Sequence, residues 1–404
     1  MRVDLLTREY PPHVYGGAGV HVAELSAVLA RQIEVQVRCF DGPRSEAPET
    51  PGPPRVTGYQ VPPCLQEANS ALATFGVDLA MSADVAGADL VHSHTWYANL
   101  AGHMAGLLHD VPHVLSAHSL EPLRPWKAEQ LGGGYALSSW AERTAYEGAA
   151  RVIAVSDGMR QDILRSYPQI DPDKVQVVHN GIDVHAWQRP EEETIDQVAA
   201  RYGIDPTRPA VIFVGRITRQ KGLTYLLAAA EALPPQVQLV LCAGAPDTPE
   251  LAADITAGVH RLQEQRTGVV WISEMLPRQE VCALLAAATV FVCPSIYEPL
   301  GIVNLEAMAV GTPVVASGTG GIPEVVQDGV TGTIVPLEQA DDGTGTPVDP
   351  QRFSTDLAEA LTAMTSEPER AAAMGAAGRR RAEAEFSWTA IAEQTLALYR
   401  DVLA

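Results

Sequence analysis

The feature that most constrains this 404-residue chain is a repeated alternation of short apolar runs with segments of helical spacing. In the first half, residues 3–7, 33–40, 90–92, 113–117, 151–156 and 175–178 read as strands. A polar stretch at 188–197 interrupts the pattern, which restarts at 211–215, 238–242, 269–272, 290–293, 313–316 and 332–335. Strands apolar on both faces suit a parallel sheet covered by helices on each side. Two such series of similar size predict an α/β chain of two doubly wound, Rossmann-like domains, in preference to one large sheet or an eightfold barrel. Their expected bounds are 1–185 and 190–386, with the linker near 183–200 and a central cleft between two lobes. The closing segment, about 387–404, has helical spacing at Trp388, Ile391, Leu396 and Val402 and is free to cap either domain, including back on the first. The stretches 41–63 and 337–352, rich in Pro, Gly and acidic residues, read as surface loops.

Composition narrows the partners. A net charge of −21 argues against nucleic acid or an anionic membrane, because polyanion binding relies on clustered Lys and Arg. The most membrane-like apolar stretch, 283–293, falls well short of the roughly 20 residues needed to span a bilayer. The apolar start reaches Arg8-Glu9 too early for a signal-peptide core, so a cytoplasmic protein is expected. Five scattered cysteines, Cys39, Cys64, Cys242, Cys282 and Cys293, read as free thiols and not as disulfides or a zinc site. No cofactor is called for, and a homodimer is retained as a possible assembly. Lysine is confined to Lys127, Lys174 and Lys221, so any anionic ligand must be met by local positive groups.

Several motifs lie where open α/β sheets place ligands, just beyond strand ends. Gly16 and Gly17 stand between the first strand and a helix; glycines there let backbone N–H groups approach an anion, although a tight turn explains them too. The run 211–222 delivers Gly215, Arg216 and then Lys221, a planar donor fork and a point charge suited to the two phosphates of a diphosphate; the alternative is a solvated loop. The run 294–306 places Glu298 after a buried strand and Glu306 inside the next helix. Pro299 and Gly301 mark that helix's start, where the N–H groups of Leu300, Gly301, Ile302 and Val303 can bind phosphate. A structural reading of the carboxylates as helix-start charges suits Glu298 better than Glu306. His118 follows a strand end, and Asn180-Gly181 forms a turn. His92 and His94, with no third ligand nearby in sequence, make poor evidence for a metal, and none is expected.

Together, Gly215-Arg216…Lys221-Gly222, Asn180-Gly181-Ile182-Asp183 and Glu298-Pro299-Leu300-Gly301…Glu306 resemble the retaining glycosyltransferases of family 4, with the GT-B fold, over nearly the whole chain. Thr7-Arg8-Glu9-Tyr10-Pro11-Pro12 and the segment 117–134 are similar to an actinobacterial, glycogen synthase-like branch that joins glucose from ADP-glucose to glucose 1-phosphate, giving α-maltose 1-phosphate for α-glucan synthesis. The resemblance implies that Arg216 and Lys221 bind the donor diphosphate, Glu298 the donor glucose and Glu306 the ribose hydroxyls. The helix start at 300–303 takes the distal phosphate. His118 meets the glucose near its 6-hydroxyl, Asn180 faces the same sugar, and Gly16 and Gly17 line the acceptor and phosphate side.

One departure stands out: where bacterial glycogen synthases carry a lysine two residues before the paired glycines, this chain has Val14. That shifts the donor phosphates onto Arg216 and Lys221 and favours a small phosphorylated acceptor, for which Arg124 and Lys127 are candidate ligands alongside a plain surface-loop role. With no evident carboxylate nucleophile, retention implies front-face displacement, the leaving diphosphate taking the acceptor proton. The alternative acceptor is an α-1,4-glucan, extended as by an ADP-glucose glycogen synthase. A nucleotide-sugar epimerase is disfavoured by Arg216, Lys221 and the 298–306 set, and a non-catalytic sugar sensor by the completeness of the donor groups. A nicotinamide dehydrogenase is disfavoured because the glycines at 16–19 lack the dinucleotide-binding spacing.

Overall fold

A computed structural model describes every residue except Tyr15, 47–52, 125–126, 129–131 and 341–343, and the chain divides into two units. The first comprises Met1–Gly181 with Trp388–Ala404; the second is Ile182–Ser387.

In the first unit the strands are β1 (Arg2–Leu6), β2 (Glu34–Cys39), β3 (Arg44–Glu46), β4 (Arg55–Gly58), β5 (Leu90–His94), β6 (His113–Ala117), β7 (Arg151–Ala154) and β8 (Val175–Val177). They form one sheet in the order β3-β4-β2-β1-β5-β6-β7-β8, parallel throughout except for the β3–β4 pair. Because β1 has β2 on one side and β5 on the other, the winding reverses there, and at such a reversal the connections leaving the carboxyl ends diverge. The six runs predicted as strands all appear. The pair β3 and β4 falls in the stretch read as a loop: Arg-Ser-Glu and Arg-Val-Thr-Gly are too short and polar for an apolar signal, and a sheet edge tolerates that.

The closing helix, Trp388–Leu403, lies in this unit and packs on the helix Gly17–Leu29. Its Ile391, Leu396 and Tyr399 share one core with Val22, Leu25 and Leu29. Trp388 leaves no space for a side chain at Gly181, where a Cβ would lie 2.6 Å from the indole.

Charge is also buried beside β1. Asp4, fully inaccessible, accepts from Arg38 Nε at 2.6 Å and Arg2 Nε at 3.0 Å, and Arg38 Nη1 reaches Asp84 at 2.7 Å. The register explains the contact: Asp4 stands opposite Gln36, and Arg38 is two residues further along the same face.

The second unit holds β9 (Ala210–Arg216), β10 (Gln238–Gly244), β11 (Val269–Ile272), β12 (Val290–Cys293), β13 (Val314–Ser317) and β14 (Gly332–Val335). All six are parallel, in the order β11-β10-β9-β12-β13-β14, so the reversal lies between β9 and β12. The polar stretch read as a linker is largely the helix Glu192–Arg201. Its Ile195 and Val198 face inward, it packs on the helix Arg278–Ala287, and Arg201 meets Glu280 at 2.9 Å. Two apolar residues at i, i+3 spacing were too few to outweigh the surrounding acids. Among the described residues no helix is long and apolar enough to cross a membrane.

Replacing Arg38 by Met should leave the Asp4 carboxylate buried with only the more exposed Arg2 as partner. Urea unfolding should then report a loss of about 3 kcal/mol, partly restored by the double change Asp4→Leu/Arg38→Met.

Candidate functional site

In the second unit, the loops leaving β9 and β12 are locked together at the reversal. After Arg216 the chain makes a short turn, Arg219–Lys221, and enters the helix Leu223–Glu231 through Gly222 at φ +64°. A Cβ at Gly222 would lie 1.9 Å from the Pro294 carbonyl, so only glycine lets the two loops approach this closely. Ile296 N–H donates to the Gln220 carbonyl at 2.8 Å, completing the clamp.

The clamp brings Lys221 and Glu298, far apart in sequence, into an ion pair with Nζ–Oε2 at 2.6 Å; Ser295 Oγ donates to the same oxygen at 3.1 Å. Burial alone would lower the Lys221 pKa, but the Glu298 carboxylate beside it, with smaller contributions from neighbours, lifts it above its ordinary value. The lysine is therefore charged at neutral pH. The Glu298 carbonyl is held by Gly321 N–H at 3.1 Å.

Gly301, at φ +93°, begins the helix Ile302–Val310, and no side chain caps that end. Its first N–H groups, at Ile302 and Val303, are thus available to an acceptor. Asn304, completely buried, has neither amide atom hydrogen-bonded and lies beside Gly301. The sequence reading passed over it; a lone amide inside the apolar run Ile-Val-Asn-Leu was the available signal. Glu306 is half-buried, and burial pushes its carboxyl up to about 7 against the opposing pull of Lys221 and Arg278. Arg216, following Gly215 at the end of β9, pairs with Asp247 at 3.2 Å. Two cations and an uncapped helix end can hold an anion, and the carboxylates can accept from hydroxyls.

In the first unit, the glycine turn is already occupied by the chain's own anion. Gly16 N–H donates to Glu9 Oε2 at 2.8 Å, Gly17 opens the helix, and a Cβ at Gly19 would lie 2.7 Å from the Glu9 Cβ. The expected opening toward a ligand is therefore shared with Glu9, whose fit requires these small residues.

Beyond β5 and β6, three histidines converge. His94 ends β5, His118 follows β6 and His21 projects from the helix Gly17–Leu29; His94 Nδ1 and His118 Nε2 are hydrogen-bonded at 3.0 Å. Neither nitrogen of His21 makes a hydrogen bond of normal geometry, and nor does Asn180 Oδ1, although the Asn180 amide lies close enough to exert an upward pull on the His21 pKa. Burial is the larger effect and brings that pKa down to about 4; it also holds His94 and His118 well below the ordinary histidine value. All three rings are thus neutral at pH 7. One nitrogen from each ring lies within 4.8 Å of those of the other two. His94 was singled out in sequence only beside His92; its partners His21 and His118 come from other elements.

Arg124 is ion-paired with Glu121, whose carboxylate is fully buried and also accepts from Ser138 Oγ at 2.7 Å. Lys127 N–H donates to the Arg124 carbonyl at 2.9 Å. Within the 117–134 segment, residues 125–126 and 129–131 lie outside the described residues.

The model of Glycosyltransferase Family 4 matches residues 15–186, and that of Glycosyl transferases group 1 matches 194–381. The chain is 55% identical over 404 residues to the alpha-maltose-1-phosphate synthase of Mycolicibacterium smegmatis, and 54% identical to that of Mycobacterium tuberculosis, covering 100% of each chain in both cases. Among solved structures, sucrose-phosphate synthase from Thermosynechococcus elongatus superposes with a TM-score of 0.80 at 24% identity, covering 99% of this chain and 98% of that one. Full-length kinship, two matching family models and two doubly wound units lead to one assignment: the chain belongs to glycosyltransferase family 4 and has the GT-B fold.

Proposed function

We propose that the chain is a retaining glucosyltransferase that moves glucose from ADP-glucose to glucose 1-phosphate, forming an α-1,4 linkage and giving α-maltose 1-phosphate. The observation that carries the donor half is the Lys221–Glu298 pair beside Arg216 and the uncapped helix at Gly301. A buried ammonium, a guanidinium and free backbone N–H groups are the means to hold a diphosphate and stabilise the negative charge that develops as it leaves. Lys221 passes from Glu298 to phosphate oxygen when the donor enters, which frees the Glu298 carboxylate to accept from glucose hydroxyls. Glu306 accepts from the ribose, while His118 and Asn180 meet the sugar.

The acceptor half is supported by the alpha-maltose-1-phosphate synthases to which the chain is similar end to end. Arg124, oriented by Glu121, and Lys127 are proposed to hold the acceptor phosphate. As the bond from glucose C1 to the diphosphate breaks, the acceptor hydroxyl oxygen bonds to C1 on the same face and its proton passes to the departing phosphate oxygen. No carboxylate nucleophile takes part, and histidines whose pKa burial holds far below neutrality are weak bases for that proton.

Trp140, half-exposed and edge-on to Phe75 at 6.1 Å, gives a second reading, elongation of an α-1,4-glucan, some support, because an exposed indole can stack on a sugar ring. Product analysis separates them: ADP-glucose with glucose 1-phosphate should release ADP and a phosphorylated disaccharide, whereas turnover with glycogen alone would reassign the chain to glucan extension.

Lys221→Ala should lower turnover by about 100-fold or more while circular dichroism shows the fold retained; wild-type turnover would remove Lys221 from the mechanism. For Glu306, the carboxylate form gains population as pH rises through about 7, so the donor KM should fall between pH 6 and 8. Glu306→Gln should bind donor more weakly and show no such trend.

A further inference from the structure

We propose that His94 is a positioning residue that holds His118 in its Nδ1–H tautomer, so that His118 offers the sugar a hydrogen-bond donor and not an acceptor; the sugar contact rests on the function proposed above. A hydrogen bond between two neutral imidazoles contains one N–H, and the His94 Nδ1–His118 Nε2 contact at 3.0 Å must place it on one ring or the other. If His118 donated from Nε2, His94 would carry its own proton on Nε2. That atom is buried and has no partner, so an N–H would be stranded without an acceptor. If His94 donates from Nδ1, its Nε2 is a bare lone pair, the less costly group to leave unpaired. His118 then carries its proton on Nδ1, which makes no hydrogen bond among the described residues and belongs to the least buried ring of the three.

The neighbouring His92 offers His94 no alternative partner. His92 lies against it with ring centroids 4.3 Å apart, and both His92 nitrogens are engaged, Nδ1 with Tyr399 Oη at 2.6 Å and Nε2 with Ser116 Oγ at 2.8 Å. His21 packs edge-on to His118 at 4.6 Å. Immediately after His94, Thr95 is held at φ +65°, a strained conformation for a β-branched residue, where the strand turns into the helix Trp96–His109.

The test is the two-bond 1H–15N spectrum of the full-length protein labelled with [15N]histidine at pH 7.5, with the His118 signals identified by their loss in His118→Gln. A His118 pattern protonated at Nδ1 is expected; protonation at Nε2 overturns the proposal whatever the enzyme's activity. His94→Asn, whose amide can donate to His118, should preserve the pattern, whereas His94→Asp, which can only accept, should move the proton to Nε2. With thermal melts confirming that both variants fold, kcat with ADP-glucose should stay near wild type in His94→Asn and fall about tenfold or more in His94→Asp. Equal activity in the two variants despite different tautomers would show that the tautomer has no role in the reaction. An Nδ1–H pattern in a protein that transfers no glucose would leave the tautomer assignment standing and overturn the function.

Discussion

In each unit the sheet reverses its winding beside its first strand, at β1/β5 and at β9/β12, and what this chain can bind follows from that reversal. Parallel strands flanked by helices bury their faces completely, leaving the carboxyl ends as the place where side chains and helix N-termini converge on open space. Arg216 ends β9 and Lys221, Glu298 and Gly301 lie on connections leaving β9 and β12, while His94 ends β5 in the other unit. The same topology gathers charged groups at the reversal of the second unit and neutral hydrogen-bonding rings at that of the first.

Electrostatics separates those roles. The chain carries a net charge of −21, and its rare lysines make the buried Lys221 a deliberate expense of desolvation, offset by Glu298 at 2.6 Å. Around His21, His94 and His118 the opposite choice is made: burial removes charge from all three rings, and their interactions depend on which nitrogen bears the proton. Glycine permits the close approaches in between. At Gly222 the β9 loop touches the β12 loop, and at Gly301 a left-handed residue starts a helix without a side-chain cap.

Much of this was legible in order along the chain. The apolar runs marked the strands, because strands buried on both faces need uninterrupted apolar residues, and the motifs after them drew attention to Arg216, Lys221, Glu298 and Glu306 as candidates. The short strands β3 and β4 at one end of the sheet and the helix Glu192–Arg201 were not legible. Such short strands and a surface helix bury too little to require an apolar signature. Nor could sequence show that Glu9 takes up the Gly16 N–H, or that Glu121 holds Arg124.

By itself the sequence determined the doubly wound class, the two series of strands and which charged and polar residue types follow the strands, since these depend on local periodicity and composition. Tertiary structure alone decided the partners. The pairing of Lys221 with Glu298, the meeting of His21, His94 and His118, and the return of the closing helix to bring Tyr399 against His92 join elements up to 307 positions apart. Such contacts are set by strand order and packing, which no local pattern encodes.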